Sequence, residues 1–270
     1  MEGQAMVKTN LFHSTNAHKK VAEMGRFSLL EYERDMSITP QTANIAFFAS
    51  QMNIRKKQVI AELNNNGGVI LQAGAMQMMI GQLQVATNIK GAGDLMKKFI
   101  GSKVTGETMV KPRYQGTGLL VLEPTYKYIL FEDLANWNGS MVIEDEMFLA
   151  CDDSINMKVT ARSTLSSAVL GNEGLFNTAL VGQGIAVLES PVPAEELITI
   201  DLEKDMVRID GNMAIAWSSS LEFTVERTTK TLVGSAASGE GLVNVYRGTG
   251  RVLVAPVSQN YGIAIPKPTK

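Results

Sequence analysis

Three glutamates stand at matching places along this chain and are the first candidates for shared chemistry. Glu107 follows Gly106, Glu173 precedes Gly174, and Glu240 lies between Gly239 and Gly241. Carboxylates repeated in this way could line one surface around a pseudo-threefold axis. The plainer role is that of a turn carboxylate accepting backbone N–H bonds. Cys151, followed by Asp152-Asp153, is a second candidate, either as a nucleophile or as part of a ligand cluster. A thiol or serine nucleophile needs a base to activate it. A metal in a barrel needs two or three histidines, usually with a carboxylate, on inward-facing strand positions. The chain has two histidines, His13 and His18, and both precede the repeated region. Cys151 aligns with the apolar Ile80 and Trp217 of neighbouring segments, which predicts a small core residue. Asp152-Asp153 aligns with Gly81-Gln82 and Ser218-Ser219, which predicts a solvent-facing turn. No catalytic residue, metal site or cofactor is expected, and the chain is not expected to be an enzyme.

Glycine phrases are the third candidate. Gly116-Thr117-Gly118, Gly182-Gln183-Gly184 and Gly248-Thr249-Gly250 resemble phosphate-cradling loops at first sight. A phosphate loop needs a helix N-terminus after it, whose amides meet the anion. Here an apolar run ending at proline follows each phrase. Gly116, Gly118, Gly182, Gly184, Gly248 and Gly250 are therefore expected in tight β turns, where glycine permits positive φ. Two basic stretches remain. One is Lys97-Lys98, Lys103, Lys111 and Arg113 with Tyr114; the other is Arg55-Lys56-Lys57. Single-strand binders repeat basic grooves with aromatic platforms, but neither stretch recurs, so each is expected to be a solvated face.

The elements that would carry these residues follow a period. The first glycines of the three phrases are 66 residues apart, twice over. Such a period marks tandem structural units. Residues 76–79, 147–150 and 213–216 recur as methionine-led apolar blocks, each after a short strand and a turn. Alternating apolar positions follow: Leu83 and Val85; Ile155, Met157 and Val159; Leu221, Phe223 and Val225. Period two means one buried and one wet face, as in antiparallel strands. Met76, Met78 and Met79, among fifteen methionines, are expected in the core or at a contact between units or chains. Leu95, Met96, Phe99 and Ile100 have helical spacing. Ahead of the repeats, residues 1–26 read as a polar arm, residues 27–33 as a first strand, and Thr39-Pro40 as a turn. Ile45, Phe48 and Met52 have the spacing of a short helix, and residues 59–63 read as a strand.

Composition sets the outer bounds. The 270 residues are 45% hydrophobic with a net charge of −2, so a globular chain without a global basic field is expected, and nucleic-acid binding is not. One cysteine cannot form an intrachain disulfide and fits a reducing compartment. No membrane span and no signal peptide are legible, and a cytoplasmic location is expected.

The motif series resembles a known family. Gly74-Ala75-Met76, Gly106-Glu107, the Gly-x-Gly phrases, the strands ending at Glu/Ser-Pro and Gly239-Glu240-Gly241-Leu242 are similar to the altered-inheritance-of-mitochondria twenty-four family. The likeness spans roughly residues 50–258 and is weakest in the N-terminal arm and over residues 54–68. It implies an all-β fold of three tandem barrel-like, double-stranded β-helix units, similar to the tryptophan RNA-binding attenuation protein. The family has no established catalytic residues to carry over. Some bacterial members are labelled transcriptional regulators, and fungal ones are linked to inner-membrane organisation. The expected organisation is an arm and first strand at 1–44, β units at 45–125, 126–191 and 192–258, and a tail at 259–270. The function expected is that of a non-enzymatic interaction or scaffold protein, a homo-oligomer whose protein partner the sequence does not name. The alternatives are a nucleic-acid-binding regulator and a small-ligand binder using a barrel interior.

Overall fold

A computed structural model describes residues 8–86, 111–144, 146–161, 176–210, 213–227 and 242–257. The chain is all-β, with two barrel-like sheets and few short helical pieces. The strands are β1 (His18–Met24), β2 (Phe27–Tyr32), β3 (Lys57–Asn64), β4 (Val69–Leu71), β5 (Met76–Ala86), β6 (Arg113–Leu122), β7 (Tyr128–Asp133) and β8 (Ser140–Ile143). They continue as β9 (Phe148–Asp152), β10 (Asn156–Ala161), β11 (Phe176–Val181), β12 (Ile185–Ser190), β13 (Ile198–Asp210), β14 (Ala214–Ser218), β15 (Glu222–Arg227) and β16 (Leu242–Val254). One α-helix, α1 (Ala43–Gln51), lies between β2 and β3. Two compact units share the chain. One takes Met1–Asp133, Phe148–Asn156 and Gln183–Glu189; the other takes Leu134–Met147, Met157–Gly182 and Ser190–Lys270.

In the first unit the sheet runs β1-β2-β3-β6-β4-β9-β12-β7, with β5 along the other edge of β6. β2 and β3 are buried at successive positions, so they read as continuous apolar runs rather than alternations. Val59, Ala61 and Leu63 join Phe27, Leu71, Leu120, Leu122 and Val187 in an apolar core. The opposite face of these strands is covered too. Leu30, Ile60 and Val121 pack there, with Leu11 and Phe12 of the N-terminal segment against them.

That segment is therefore not a loose arm from residue 8 on. β1 pairs with β2 in antiparallel register, His18 opposite Tyr32 and Met24 opposite Phe27. Most β1 side chains are exposed, so the strand rests on backbone hydrogen bonds and leaves no apolar periodicity to read. Of the methionine block, Met76 packs against the core, as one of its expected places requires. Met78 and Met79 are exposed and so are not core residues; a register shift lies between Met76 and Met78.

In the second unit the sheet runs β10-β11-β8-β14-β16-β13, with β15 also on β16. Its core holds Leu202, Ile209, Trp217, Tyr246 and Val252. Trp217, Phe223 and Tyr246 form a ring cluster, with centroids 5.2 to 5.6 Å apart.

The glycine phrases turn out to serve close strand approach. Gly116 and Gly118 lie inside β6, Gly248 and Gly250 inside β16, and only Gly182 and Gly184 sit between strands, β11 and β12. Gly118 is in register with Gly81 of β5, and a Cβ on Gly81 would lie 2.7 Å from the Thr117 carbonyl oxygen. A Cβ on Gly184 would meet Asp152, and one on Gly250 would meet Ser218. In both cases that neighbour accepts a hydrogen bond from the N–H just after the glycine: Ile185 to Asp152 at 2.8 Å, Arg251 to Ser218 at 2.9 Å. The missing side chain is what lets the acceptor reach the backbone.

The linker with helical spacing around Leu95–Ile100, part of the first basic stretch, and the tail beyond residue 257 lie outside the described residues.

Candidate functional site

The most distinctive surface is built on α1. Residues 37–54 contain no Asp, Glu, Lys, Arg or His. A turn through Pro40 leads in, and the Thr39 amide donates to Thr42 Oγ1 at 3.1 Å. The helix closes at Met52. Asn53 takes a left-handed conformation at φ 59°, its N–H bonds the Ser50 carbonyl at 3.1 Å, and the Ile54 N–H bonds the Ala49 carbonyl at 2.9 Å. This double closure is a Schellman motif with asparagine in the place glycine usually takes. It returns the chain to β3 in one step.

The predicted helix is thus present, but it buries none of its residues. Ile45, Phe48 and Met52, the stripe legible in sequence, are 72, 67 and 74% exposed. Phe47 and Met36 are exposed as well, and the Phe47 and Phe48 rings meet edge-on at 5.5 Å. Helical spacing gives the period of an apolar face; it does not say what covers that face.

Under the other side of α1 lies a cleft of about 850 Å³. Phe47, Ala46 and Ser50 line its helix side, and Tyr32, Asp35, Lys56 and Tyr126 line its base. Asp35 organises the base. Its carboxylate accepts bonds from the Ser37 hydroxyl at 2.6 Å, Tyr126 OH at 2.7 Å and Lys56 Nζ at 3.0 Å. Burial alone would raise this carboxyl, but the bonds from Ser37, Tyr126 and Lys56 outweigh it and hold the group well below the usual carboxylate range. Burial, followed by the bond to Asp35, pushes the Tyr126 phenol up to about 12. At neutral pH the base of the cleft therefore holds an ionised Asp35 and a protonated Tyr126.

The second basic stretch belongs to this network instead of a solvated face. Arg55 Nη1 bonds Glu33 and lies 3.4 Å from Glu31, although its Nε finds no acceptor among the described residues. Lys56 lies over the Tyr32 ring at 4.7 Å. Lys57 is buried, donates to the Arg55 carbonyl at 3.1 Å and lies over the Tyr128 ring at 4.6 Å. Burial is the main cause of its lowered pKa.

Comparison with known proteins places this geometry. The family model described as mitochondrial biogenesis AIM24 matches residues 50–257. The chain belongs to the AIM24 family. An uncharacterized protein of Streptococcus pyogenes serotype M6 is 28% identical over 201 residues, covering 72% of this chain and 78% of that protein. A crystal structure of the protein SPYM3_0169 from Streptococcus pyogenes superposes with a TM-score of 0.57 at 25% identity. It covers 77% of this chain and 90% of the streptococcal one. The AIM24 match begins at residue 50, so β1, β2 and all but the last two residues of α1 precede it.

The remaining sequence candidates fall as follows within or beside the AIM24 region. Glu107, Glu173 and Glu240 lie outside the described residues, so their shared surface carries no structural account. Cys151 is buried in β9, and burial, then the nearby Asp152 and Asp153, push its thiol far up, which suits a core residue. Asp152 and Asp153 are not solvent-facing. Asp152 pairs with Arg26 Nε at 2.7 Å, and Asp153 accepts from Gln115 Nε2 at 3.1 Å beside Arg113. Lys111 bonds Gln72 and lies 4.9 Å from the Phe148 ring centre. Tyr114 is buried in the core. His13 and His18 lie apart from these groups; His18 shares hydrogen bonds with Thr15 Oγ1 and the Leu11 carbonyl. Among the described residues no group of three or more His, Cys, Asp or Glu could hold a metal, and no helix is long and apolar enough to cross a membrane.

Proposed function

We propose that this AIM24 member is a non-enzymatic interaction protein. Its three tandem β units form a scaffold, and it works as a homo-oligomer. The observation that carries this reading is the uncharged helix whose apolar stripe, Ile45, Phe48 and Met52, is left exposed by its own chain. Isolated helices of this length are marginal in water, and most helical stability in proteins comes from packing. An exposed apolar face of this kind marks an interaction site.

Three further observations support the reading. The charged groups at the cleft base are held by one another, as in a structural network. The first unit's core is packed with apolar side chains, which leaves little for a ligand in a barrel interior to recognise. The recurring contact of a phrase glycine with its cross-strand partner supports tandem units. Relatives in a bacterium suit a shared role more general than mitochondrial biogenesis, and the lone buried cysteine suits a cytoplasmic setting.

The test is the native mass of the purified full chain, together with the identity and stoichiometry of any protein isolated with it. A defined oligomer or a stoichiometric complex is expected. A strict monomer at all accessible concentrations, with no stoichiometric partner, overturns the reading.

A further inference from the structure

We propose that β5 is a docking edge for a second copy of this chain, whose β13 pairs with it through residues 207–209. This rests on the homo-oligomer reading above and names the two strand edges that meet.

The chain makes one kind of strand pairing twice. β4 pairs with β9 in antiparallel register, Leu71 opposite Ala150 and Val69 opposite Asp152. β8 pairs with β14 in the same way, Ile143 opposite Ala216 and Met141 opposite Ser218. In each case the short strand of one repeat takes the methionine-led block of the next. Residues 207–209 are the third short strand, and β5 carries the remaining block. Among the described residues these two have not met: β13 pairs with β16 alone, and β5 with β6 alone. A single chain leaves both edges open, so their partner is another copy.

A shared irregularity fixes the register of the third pairing. Met76, Phe148 and Ala214 stand across from Leu122, Leu188 and Val254, and a register shift follows each of them. Met78 therefore answers to Ala150 and Ala216, and Met79 to Cys151 and Trp217, one residue away from the sequence alignment. Ile209 answers to Leu71 and Ile143. The third pairing thus sets Ile209 opposite Met78, Arg208 opposite Met79 and Val207 opposite Ile80.

Exposure agrees with this assignment. Where the pairing is made, Ala150, Cys151, Ala216 and Trp217 are at most 3% exposed. Where it is not, Met78 and Met79 are each 41% exposed, and Met206, just before the third short strand, is 42% exposed. Charge agrees as well. Edge strands are commonly blunted by charged side chains, yet β5 has none in its eleven residues. Residues 207–209 carry Arg208 alone, so no like charges are brought opposite one another. The contact joins unlike edges, and every chain offers one of each. A reciprocal pair of chains or a closed ring satisfies them all.

The experiment uses the full chain. Met79→Cys and Arg208→Cys are purified separately, mixed and mildly oxidised; directly opposed positions on antiparallel strands lie within disulfide reach. A covalent dimer of one Met79→Cys chain and one Arg208→Cys chain is expected as the main product. Val85→Cys, exposed toward the far end of β5, should give none with Arg208→Cys, and the native Cys151 is buried. Met79→Lys sets a lysine opposite Arg208 and should raise the dissociation constant in sedimentation equilibrium about tenfold or more. Adding Arg208→Glu should restore wild-type association. Both positions are exposed, so far-UV circular dichroism and the melting midpoint should match wild type. An oligomer unmoved by Met79→Lys, no rescue by Arg208→Glu, or no mixed dimer above the Val85→Cys control overturns the inference and leaves the interaction reading standing. So does a Met79→Cys/Arg208→Cys chain that links only within itself, or a wild-type monomer that binds another protein stoichiometrically. A wild-type monomer that binds no protein overturns both.

Discussion

Gly81→Ala tests whether close strand approach, rather than turn formation, is what the glycine phrases serve. Gly81 sits at φ 101° and faces Gly118 across β5 and β6. An alanine there meets two separate costs. A side chain at this positive φ costs about 1–3 kcal/mol. Its Cβ would also lie 2.7 Å from the Thr117 carbonyl oxygen and 3.0 Å from Gly118 Cα. Both neighbours are backbone, so neither can rotate away, and overpacking of this kind adds about 1–3 kcal/mol. The sum is about 2–6 kcal/mol, a large part of a typical domain's stability. Gly74→Ala is the matched control. Gly74 is also at positive φ, 82°, but a Cβ there meets nothing within 4 Å, so only the conformational cost applies. Urea unfolding followed by far-UV circular dichroism is the assay, because both tryptophans, Trp137 and Trp217, lie in the second unit and would not report on β5. The expected order is wild type, then Gly74→Ala, then Gly81→Ala, with about 1–3 kcal/mol between the two variants. If the variants unfold within about 0.5 kcal/mol of each other, the close-approach account is wrong.

Asp35→Asn should remove stability at neutral pH. The native carboxyl titrates well below the unfolded value of about 3.9, so its contribution is complete above that value and is lost as the pH falls. The difference in urea midpoint between wild type and variant should be constant from pH 8 to about pH 5 and shrink toward pH 2; a difference that grows in acid contradicts the network. Asp152→Ala strands both Arg26 and the Ile185 N–H, and should cost about 1–3 kcal/mol in denaturant unfolding. A neutral effect would show that water replaces the carboxylate. Cys151, fully buried with its thiol pushed up, should resist a disulfide reagent at pH 8 in the native protein and react at once in 6 M guanidinium, a contrast read by absorbance.

Parts of this structure were legible from residue types and parts were not, for physical reasons. Strands with a buried face announced themselves: β2, β3 and the apolar runs after the glycine phrases all lie where the apolar pattern put them. β1 did not, because its exposed side chains carry no alternation and its pairing is a property of the backbone. The apolar spacing gave α1 its helical form, but a stripe looks the same whether its own chain or another covers it. Asp152 and the Arg55-Lys56-Lys57 run were misread as solvated because their partners are distant in sequence. Arg26 reaches Asp152, and Glu31, Glu33 and Asp35 meet the lysines and arginine, only once β2, β3 and β9 are in one sheet. Of the candidate interaction site, the helix was readable and the ion-paired cleft beneath it was not.

The interleaving of the two units bears on how the chain is made. β9 and β12 complete the first sheet, yet they are separated in sequence from the rest of it by segments of the other unit. A ribosome that has released residue 133 has not yet supplied the two strands that join β4 to β7 in this sheet; the second of them is complete only when Glu189 emerges. At about 5–20 residues per second, that interval is roughly 3 to 11 s. For roughly the first 1 to 4 s of it, while β9 follows, the outer edge of β4, which pairs with β9 in the finished protein, is an open template. The outer edge of β9 then waits for β12. Nascent chains stalled between residues 133 and 189 should therefore be more protease-sensitive and more dependent on chaperones than either shorter or longer ones.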